Sequence, residues 1–345
     1  MPISAGITPG SGPAHMSIFG YDPLQLEVGR GILSALGIDF PVEKKDVCAR
    51  INFCSVDENG IITDRRAGRI PTEKNVELSK KIEENVKVPG MEVFFRPEKE
   101  HRAALIVRGD GLSDHLTDTD PQRTGHPPLE VKATNNTKEA AYTAGIMNEI
   151  ISQIKTILKH DYPANMVLVR GFAQYPKMET MEEIYGLKCA AIAVYPMYRG
   201  LAKLVGMDVL PNPGNYEGEF AQLEEVYKDY DFFFMHIKGT DSSGEDGDFE
   251  RKKKVIEEVD RLIPRLVALN PDVIIVTGDH STPSQMKTHS WHPVPTMVHG
   301  KFGRNGLSDK FSERECARGI LGTFPAHDLM PLMMAHSERL EKFGA

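Results

Sequence analysis

Residues 232–248 read FFFMHIKGTDSSGEDGD, an apolar run that passes directly into an acid-rich segment. A similar junction, VIIVTGDHSTP, occupies residues 273–283. Runs that are almost wholly apolar are typical of strands in a parallel sheet, because helices cover both faces of such a sheet. Functional side chains are expected in the loops at the carboxyl ends of these strands. The two junctions therefore predict both the class of fold and the edge of the sheet at which a site would form.

Predicted helices and strands alternate along the chain from Thr137 onward. Thr137 is a suitable N-cap, and isoleucines at helical spacing predict a helix that ends near Leu158. Further predicted elements are strands at 166–169, 189–194, 232–237 and 273–277, and helices at 198–205 and 248–269. This alternation indicates an α/β fold with a mostly parallel sheet flanked by helices.

Residues 46–132 have a different pattern. A turn sequence, DENG at 57–60, separates β-prone runs at 47–56 and 61–63, and a helix (73–85) and two strands (91–95 and 103–108) follow. This pattern is typical of a strand-rich α+β unit. A chain of 345 residues is also longer than one compact core of ordinary size. We therefore predict a core formed by residues 1–38 and 136–345, with an α+β cap domain inserted at 39–135.

Composition and charge exclude several classes of protein. The net charge of −8 gives no basic field for nucleic acid, and no apolar run is long enough to span a membrane. The N-terminus has no signal-peptide pattern, and the four widely spaced cysteines are typical of free thiols in a reducing compartment. These features predict a cytoplasmic protein that has neither nucleic acid nor a membrane as a partner.

The acidic and histidine-rich loops form a candidate metal site. Asp279 and His280 follow the second apolar strand, and a further histidine loop, THSWHPVP, lies at 288–295. Carboxylates mixed with imidazoles suit Zn²⁺, Mn²⁺ or a similar ion, and a larger share of carboxylates favours Mn²⁺. Two alternatives stay open: residues 238–248 form a solvated turn that caps the next helix, and Asp279 and His280 form a hydrogen-bonded pair at a strand end. The spacing does not set the number of ions.

Several motifs, taken together and in this order, resemble one family. They are GITPGSGPAH at 6–15, followed by FGYDP at 19–23 and GRG at 29–31; DRRAGR at 64–69; HIKGTD at 236–241; TGDHSTP at 277–283; and HS at 289–290 with PVP at 293–295. They span nearly the whole chain and resemble the archaeal-type cofactor-independent phosphoglycerate mutases, metal-dependent members of the alkaline phosphatase superfamily. The resemblance implies an alkaline phosphatase-like core and a substrate-binding cap that closes over it to exclude water.

The resemblance also implies a reaction. It is the interconversion of 3-phosphoglycerate and 2-phosphoglycerate in glycolysis and gluconeogenesis, through a phosphoserine on a metal-activated nucleophile, Ser11. The implied cofactors are two divalent ions (Mn²⁺, Zn²⁺, Co²⁺ or Mg²⁺), without bisphosphoglycerate. In isolation, Ser11 would read as a turn serine that caps the next helix. The implied ligands are Ser11, Asp279 and His280 for one ion, and Asp241, Glu245 and His289 for the other.

Local positive charge is expected around an anionic substrate, because the chain as a whole is acidic. The resemblance implies that Lys188 assists at the transferring phosphoryl group, although a lysine at the start of a strand can equally be a solvated residue. Phosphoglycerate is the implied small-molecule partner, and a homo-oligomer is the implied assembly. The residues implied to bind the substrate are Arg30, Asp64, Arg65, Arg69, Arg102 and Arg108.

The chain departs from the family pattern at two places. Family members begin with a strand that ends in Asp-Gly, whose aspartate is a metal ligand, whereas this chain begins a few residues before the serine loop. We interpret this as a start downstream of the true one or as a genuine fragment. Glu245 stands where members usually carry histidine, and it either binds the metal or points to solvent. The alternatives to a mutase are another phosphomutase or a phosphomonoesterase of the same superfamily, and a catalytically silent homologue.

Overall fold

The computed structural model describes residues 1–25, 28–303, 308, 310–342 and 344 of the chain. The strands are β1 (Val47–Val56), β2 (Ile62–Asp64), β3 (Glu92–Pro97), β4 (Arg102–Arg108), β5 (Met166–Ala173), β6 (Cys189–Ala193), β7 (Asp208–Val209), β8 (Phe232–His236), β9 (Val273–Val276) and β10 (Met297–Gly300). The α-helices are α1 (Ser11–Ile18), α2 (Arg30–Gly37), α3 (Thr72–Asn85), α4 (Lys138–Leu158), α5 (Met181–Tyr185), α6 (Pro196–Leu204), α7 (Tyr216–Val226), α8 (Gly239–Asp246), α9 (Phe249–Asp260), α10 (Ile263–Ala268), α11 (Glu313–Cys316) and α12 (Leu329–His336). Short 3-10 helices lie at Ala67–Arg69 and Ala326–Asp328.

The chain divides into two compact units. The first contains Met1–Glu27, Thr180–Leu201 and Gly206–Ala345, and the second contains Val28–Glu179 and Ala202–Val205. The second unit extends beyond the cap predicted at 39–135, because α4 and β5 lie in it rather than in the core. The reason is strand pairing: β5 runs antiparallel to β1 and continues the same sheet.

An antiparallel sheet of five strands organises the second unit. Its order is β2-β1-β4-β3, and β5 pairs with β1. One face of β1, which includes Ile51 and Phe53, is fully buried in an apolar core with residues of α3 and α4. Helix α2 packs closely on the sheet, since a Cβ at Gly31 would lie 2.1 Å from the carbonyl oxygen of Cys48. Only glycine fits at this contact.

A parallel sheet of three strands, in the order β7-β6-β8, lies in the first unit. The register of β6 and β8 runs from Cys189↔Phe232 to Ala193↔His236, so both strands end at the same edge. Strand β9 pairs instead with β10, antiparallel, and β10 was not predicted from the sequence. The described part of the chain therefore has a mixed α/β architecture in which β8 and β9 both lead into the polar junctions quoted above.

Two segments of the first unit differ from the predicted elements. The predicted helix at 248–269 is divided into α9 and α10, because Pro264, at the start of α10, has no N–H to continue the hydrogen-bond ladder. Residues 239–246, predicted as a loop, form α8, which ends at Gly247 with a left-handed φ of 74°. Asp248 then caps α9 by accepting the N–H of Arg251 at 2.9 Å, which is the capping role considered for this acidic segment.

Among the residues described, no helix combines the length and the apolar composition that a membrane crossing requires.

Candidate active site

Helix α1 presents Ser11 in its first turn. The N-cap is Gly10, which has no side chain, so Ser11 does not have the capping role of an ordinary turn serine. Its hydroxyl oxygen lies 3.0 Å from Nε2 of His280 instead. Because the N-terminus of a helix carries partial positive charge, the start of α1 favours an anion next to this hydroxyl.

Aromatic side chains hold α1 against the parallel sheet. The ring centroid of His15 lies 5.5 Å from that of Phe234 and 4.8 Å from that of Tyr198. Tyr198 in turn stacks on His236, with ring centroids 3.5 Å apart. Burial lowers the pKa of both His15 and His236, so these imidazoles are neutral near pH 7 and pack as aromatic rings. His15 Nδ1–H donates to the carbonyl oxygen of Ser11 at 2.8 Å, which ties this cluster to the start of α1.

Thr282, in the loop after β9, sets the tautomer of His280. The Thr282 hydroxyl donates to Oδ1 of Asp241 at 2.6 Å, so its oxygen accepts the Nδ1–H of His280 at 2.9 Å. Nε2 of His280 therefore carries a lone pair. This nitrogen lies 3.0 Å from the hydroxyl oxygen of Ser11 and 3.1 Å from Oδ2 of Asp279. The serine can donate a hydrogen bond to it, whereas an ionised Asp279 can only face it as a second acceptor.

Helix α8 contributes the other carboxylates. Asp241 Oδ1 lies 3.8 Å from Nε2 of His289, and Glu245 Oε1 lies 3.7 Å from the same nitrogen. Residues four apart share one side of a helix, which explains why both acids reach His289. His289 donates Nδ1–H to the carbonyl oxygen of Pro9 at 3.0 Å, so its Nε2 lone pair points toward the acids.

A short backbone contact aligns the two histidine loops. Ser281 and Ser290 form an isolated antiparallel bridge, in which the Ser290 N–H donates to the Ser281 carbonyl oxygen at 2.9 Å. The rings of His280 and His289 consequently stack, with centroids 3.6 Å apart. Their lone pairs thus enter the same small volume as the carboxylates.

Asp279 and Asp241 are ionised in this arrangement. Burial raises the pKa of each carboxyl, but neighbouring groups lower it by more, so both pKa values lie below the usual range. For Asp241 the lowering comes chiefly from the ammonium of Lys238 and from the hydroxyl of Thr282. The cluster therefore combines charged carboxylates with imidazole lone pairs in a largely enclosed place.

These groups fit a divalent cation. Ligand atoms of Asp241, His280 and His289 lie within 4.8 Å of one another. Asp279 Oδ2 is buried and accepts no hydrogen bond from any residue within the described ranges. A carboxylate that faces an imidazole lone pair is stabilised by a cation between the two. The closest set differs from the implied ligand sets, because His280 lies with Asp241 and His289 as well as with Ser11 and Asp279.

Lys238 is a residue of this cluster whose role the sequence motifs did not indicate. Its ammonium contacts Oδ2 of Asp241 and lies 5.6 Å and 5.7 Å from the ring centroids of Tyr195 and Tyr198. Burial lowers the pKa of Lys238, but Tyr198 and Asp241 raise it by more, and the net pKa is above its ordinary value. The HIKGTD motif contains this lysine, but its role depends on tyrosines from α6 and the segment before it. The roles of Thr282, Tyr198, His15 and His236 were missed for the same reason.

The second unit carries a separate basic cluster of Arg30, Arg65 and Arg170. Arg65 donates two hydrogen bonds to the buried carboxylate of Asp120, at 3.0 Å and 2.7 Å. Arg170 Nη1 lies 3.2 Å from Asp120 and its Nε lies 3.9 Å from Asp118. Burial lowers the pKa of Arg170, and the nearby positive charge of Arg30 lowers it further. Arginines outnumber carboxylates in this cluster, so it favours an anion.

The other residues implied to bind the substrate have different surroundings. Arg108 donates two hydrogen bonds of 2.7 Å to the buried carboxylate of Asp46. Asp64 accepts two backbone N–H groups of the following turn, at 2.8 Å and 2.7 Å, and so shapes the DRRAGR segment. Arg69 is exposed at the end of that turn with a φ of 53°, and Arg102 is the first residue of β4.

Lys188 lies at the opposite end of the parallel sheet from Ser11. It immediately precedes β6, its N–H donates to Asp231 at 3.0 Å, and its ammonium lies 4.6 Å from the ring of Tyr230. Since β6 and β8 are parallel and in register, about 15 Å of strand separates Lys188 from the carboxyl end of β8. This position does not suit the role implied for Lys188, and Lys238 is the lysine that the structure brings to the cluster.

Comparison with known proteins gives one consistent relationship. A family model described as 2,3-bisphosphoglycerate-independent phosphoglycerate mutase matches residues 1–165. A Thermotoga neapolitana protein named as a probable 2,3-bisphosphoglycerate-independent phosphoglycerate mutase is 51% identical over 346 residues, covering 100% of this chain and 86% of its own length. A protein of the same name from Thermus thermophilus is 47% identical and covers 100% of this chain and 85% of its own length.

Solved structures agree with the sequence comparison. A Pyrococcus horikoshii protein superposes with a TM-score of 0.83 at 29% identity, covering 100% of this chain and 87% of that one. The cofactor-independent phosphoglycerate mutase of Thermoplasma acidophilum superposes with a TM-score of 0.72 at 30% identity, covering 98% of this chain and 88% of that one. With sequence similarity over its full length and a shared fold, this chain belongs to the 2,3-bisphosphoglycerate-independent phosphoglycerate mutase family.

Proposed function

We propose that this chain interconverts 3-phosphoglycerate and 2-phosphoglycerate through a phosphoserine at Ser11. The observation that supports this most directly is the position of the Ser11 hydroxyl, 3.0 Å from the lone pair of His280 at the start of a helix. The names of relatives that match the whole chain support the choice of phosphoglycerate as substrate. We place the reaction in glycolysis and gluconeogenesis.

The steps follow from the contacts of Ser11. Its oxygen attacks phosphorus as the hydroxyl proton leaves it. The bond from phosphorus to Ser11 Oγ forms while the ester bond to the substrate breaks, and the released substrate oxygen takes up the proton. The glycerate then offers its other hydroxyl, and the same steps in reverse return the phosphoryl group to the substrate. The partial positive charge at the start of α1 favours the phosphoryl oxygens throughout.

We also propose that the site binds two divalent cations, with Mn²⁺ preferred over Zn²⁺, Co²⁺ or Mg²⁺. When bound, such ions lower the pKa of a hydroxyl and offset the charge of the phosphoryl group. Ser11, Asp279 and His280 would hold one ion. Asp241, His289 and Glu245 would hold the other, with Glu245 as a ligand because its carboxylate oxygen lies 3.7 Å from Nε2 of His289.

The basic cluster of the second unit is proposed to bind the anionic groups of the substrate. Arg65 and Arg30 were implied to do so, and Arg170 joins them in the structure. Asp120 orients two of these arginines, Arg65 through hydrogen bonds and Arg170 through an ion pair, which leaves donors on each guanidinium for a carboxylate or phosphate. This assignment gives the second unit the substrate-binding role predicted for residues 39–135.

The remaining parts of the proposal concern fold and location. We infer an alkaline phosphatase-like core for the first unit, supported by the parallel strands β6 to β8 and by a polar cluster at their carboxyl end. We place the enzyme in the cytoplasm, since its four cysteines are free thiols. The homo-oligomer implied by the resemblance stays a prediction.

The test is conversion of 3-phosphoglycerate by the Mn²⁺-loaded chain without added bisphosphoglycerate, followed by phosphorus NMR. We expect 2-phosphoglycerate to form, Ser11→Ala to abolish its formation, and Ser152→Ala, an exposed change on α4, to leave it unchanged. Normal turnover by Ser11→Ala would contradict the proposal. Faster release of inorganic phosphate than of 2-phosphoglycerate would instead identify a phosphomonoesterase, and no turnover at all would identify a silent homologue.

A further inference from the structure

Lys238 stands between the candidate metal ligands and the nucleophile. Its ammonium contacts Oδ2 of Asp241, whose other oxygen accepts the Thr282 hydroxyl at 2.6 Å. On its other side, the Lys238 ammonium lies 5.7 Å from the ring centroid of Tyr198, and this ring packs against His15, which donates to the carbonyl oxygen of Ser11 at 2.8 Å. One positive charge therefore lies between a carboxylate of the candidate metal cluster and the aromatic side chains that hold the start of α1.

The surroundings of Lys238 allow its ammonium to change partners without moving the backbone. Lys238 is the N-cap residue of α8, so its backbone is fixed by the start of that helix. The ammonium lies over the rings of Tyr195 and Tyr198, at 5.6 Å and 5.7 Å, and aromatic faces stabilise a cation at such distances. Tyr198 is itself held by its stack on His236. Rotation of the flexible lysine stem is enough to carry the charge from Asp241 toward Tyr198.

A divalent cation and the Lys238 ammonium compete for the same carboxylate. Asp241 belongs to the set of three residues whose ligand atoms lie within 4.8 Å of one another, with His280 and His289. Two positive groups on one carboxylate repel each other strongly in an enclosed site. Binding of a divalent cation to Asp241 therefore weakens the contact of Lys238 with this residue, while the contact with Tyr198 stays available.

We propose that Lys238 is a positioning residue that leaves Asp241 for the Tyr198–Ser11 side when a divalent cation binds. The proposal rests on the proposed function, because it gives the displaced charge a role in phosphoryl transfer to Ser11. Acting through Tyr198, Lys238 orients the nucleophile and offsets the negative charge that the phosphoryl group brings. Before the cation binds, the same ammonium occupies Asp241 and limits the affinity for metal.

Titration of the chelator-treated protein with Mn²⁺ by calorimetry tests the competition. We expect Lys238→Met to lower the Kd for Mn²⁺ by about tenfold, the size of a typical coupling between two competing ligands. Lys238→Gln should have the same effect, and Lys238→Arg, which keeps the charge, should bind Mn²⁺ as the wild type does. Lys228→Met, the same change at an exposed lysine, should leave the Kd unchanged. Unchanged or weaker Mn²⁺ binding by folded Lys238→Met and Lys238→Gln would overturn the proposal.

Turnover separates positioning from general damage to the site. We expect Lys238→Met to lower kcat about a hundredfold although it binds Mn²⁺ more tightly, whereas a merely structural defect would weaken both. An unchanged kcat in Lys238→Met would overturn the positioning role. If the wild type produces no 2-phosphoglycerate and Lys238→Met still binds Mn²⁺ more tightly, the competition for Asp241 stands and the proposed function fails.

Discussion

The Thr282 hydroxyl connects α8 to the loop after β9 in the candidate metal site, and its removal is the most informative perturbation of this site. Thr282→Val keeps the shape of the side chain but removes both of its hydrogen bonds, to His280 Nδ1 at 2.9 Å and to Asp241 at 2.6 Å. Thr282 is 3% exposed, so water cannot readily replace the hydroxyl. The change therefore leaves a buried imidazole N–H without its acceptor and an ionised carboxylate without one donor.

The size of the effect follows from these two losses. An unsatisfied buried donor costs about 1–3 kcal/mol and a lost hydrogen bond to a charged group costs a similar amount, so the free energy of unfolding should fall by about 2–6 kcal/mol. Without Thr282, the Nε2 lone pair of His280 is no longer held toward the cluster. Loss of such a supporting contact lowers metal affinity by about 10–100-fold.

Urea unfolding followed by circular dichroism, and Mn²⁺ titration by calorimetry, measure the two effects of Thr282→Val. Thr282→Ser keeps the hydroxyl and should retain most of the Mn²⁺ affinity. Thr156→Val, at an exposed position of α4, is the control for the chemical change itself. An unfolding free energy and a Kd for Mn²⁺ that both match the wild type would refute the assignment of the His280 tautomer.

Three further predictions concern packing, pH and charge. A Cβ at Gly244 would lie 2.2 Å from the Thr282 carbonyl oxygen, so Gly244→Ala should displace α8 from the loop after β9. This overpacking should lower the free energy of unfolding by about 1–3 kcal/mol and weaken Mn²⁺ binding. Gly145→Ala on α4 is the control, because its Cβ would meet nothing within 4 Å. Burial raises the pKa of Glu219 to about 8, so the folded state keeps a proton that the unfolded chain loses. The free energy of unfolding should therefore fall by about 1.4 kcal/mol per pH unit as the pH rises from the usual pKa of a glutamate to the raised pKa of Glu219. Glu219→Gln should remove this slope, which urea unfolding at several pH values measures. Asp120→Asn should lower the free energy of unfolding by about 3–5 kcal/mol, since two arginines lose a buried partner; urea unfolding with unchanged stability would contradict that pairing.

The local elements with strong signals could be predicted from the sequence. Thr137 caps α4 by accepting the N–H of Ala140, and β1 spans the residues that its β-prone pattern indicated. Acids and histidines placed after apolar strands were expected at one edge, and Asp241, Asp279 and His280 do meet there. Local propensity and strand order suffice for such predictions because they depend on neighbours along the chain.

The pairing of strands that are distant along the chain could not be predicted from the sequence. The apolar run at 166–169 is equally suitable for a core strand or for the antiparallel sheet of the second unit, and pairing with β1 decides it. The roles of Lys238 and Thr282 depend on contacts that only the folded chain creates, such as the one between Thr282 and Asp241, 41 residues apart. Lys188 and Lys238 are both single basic residues next to strands, and only the register of β6 and β8 shows which one lies at the functional edge.

The most direct test of the account is the identity of the covalent intermediate. The Mn²⁺-loaded chain is mixed with 3-phosphoglycerate, quenched in acid within one turnover, digested and sequenced by mass spectrometry. We expect a phosphoryl group on Ser11 that appears only with substrate and is absent from Ser11→Ala. Turnover that proceeds without a phosphorylated Ser11, or with the phosphoryl group on another residue, would contradict it.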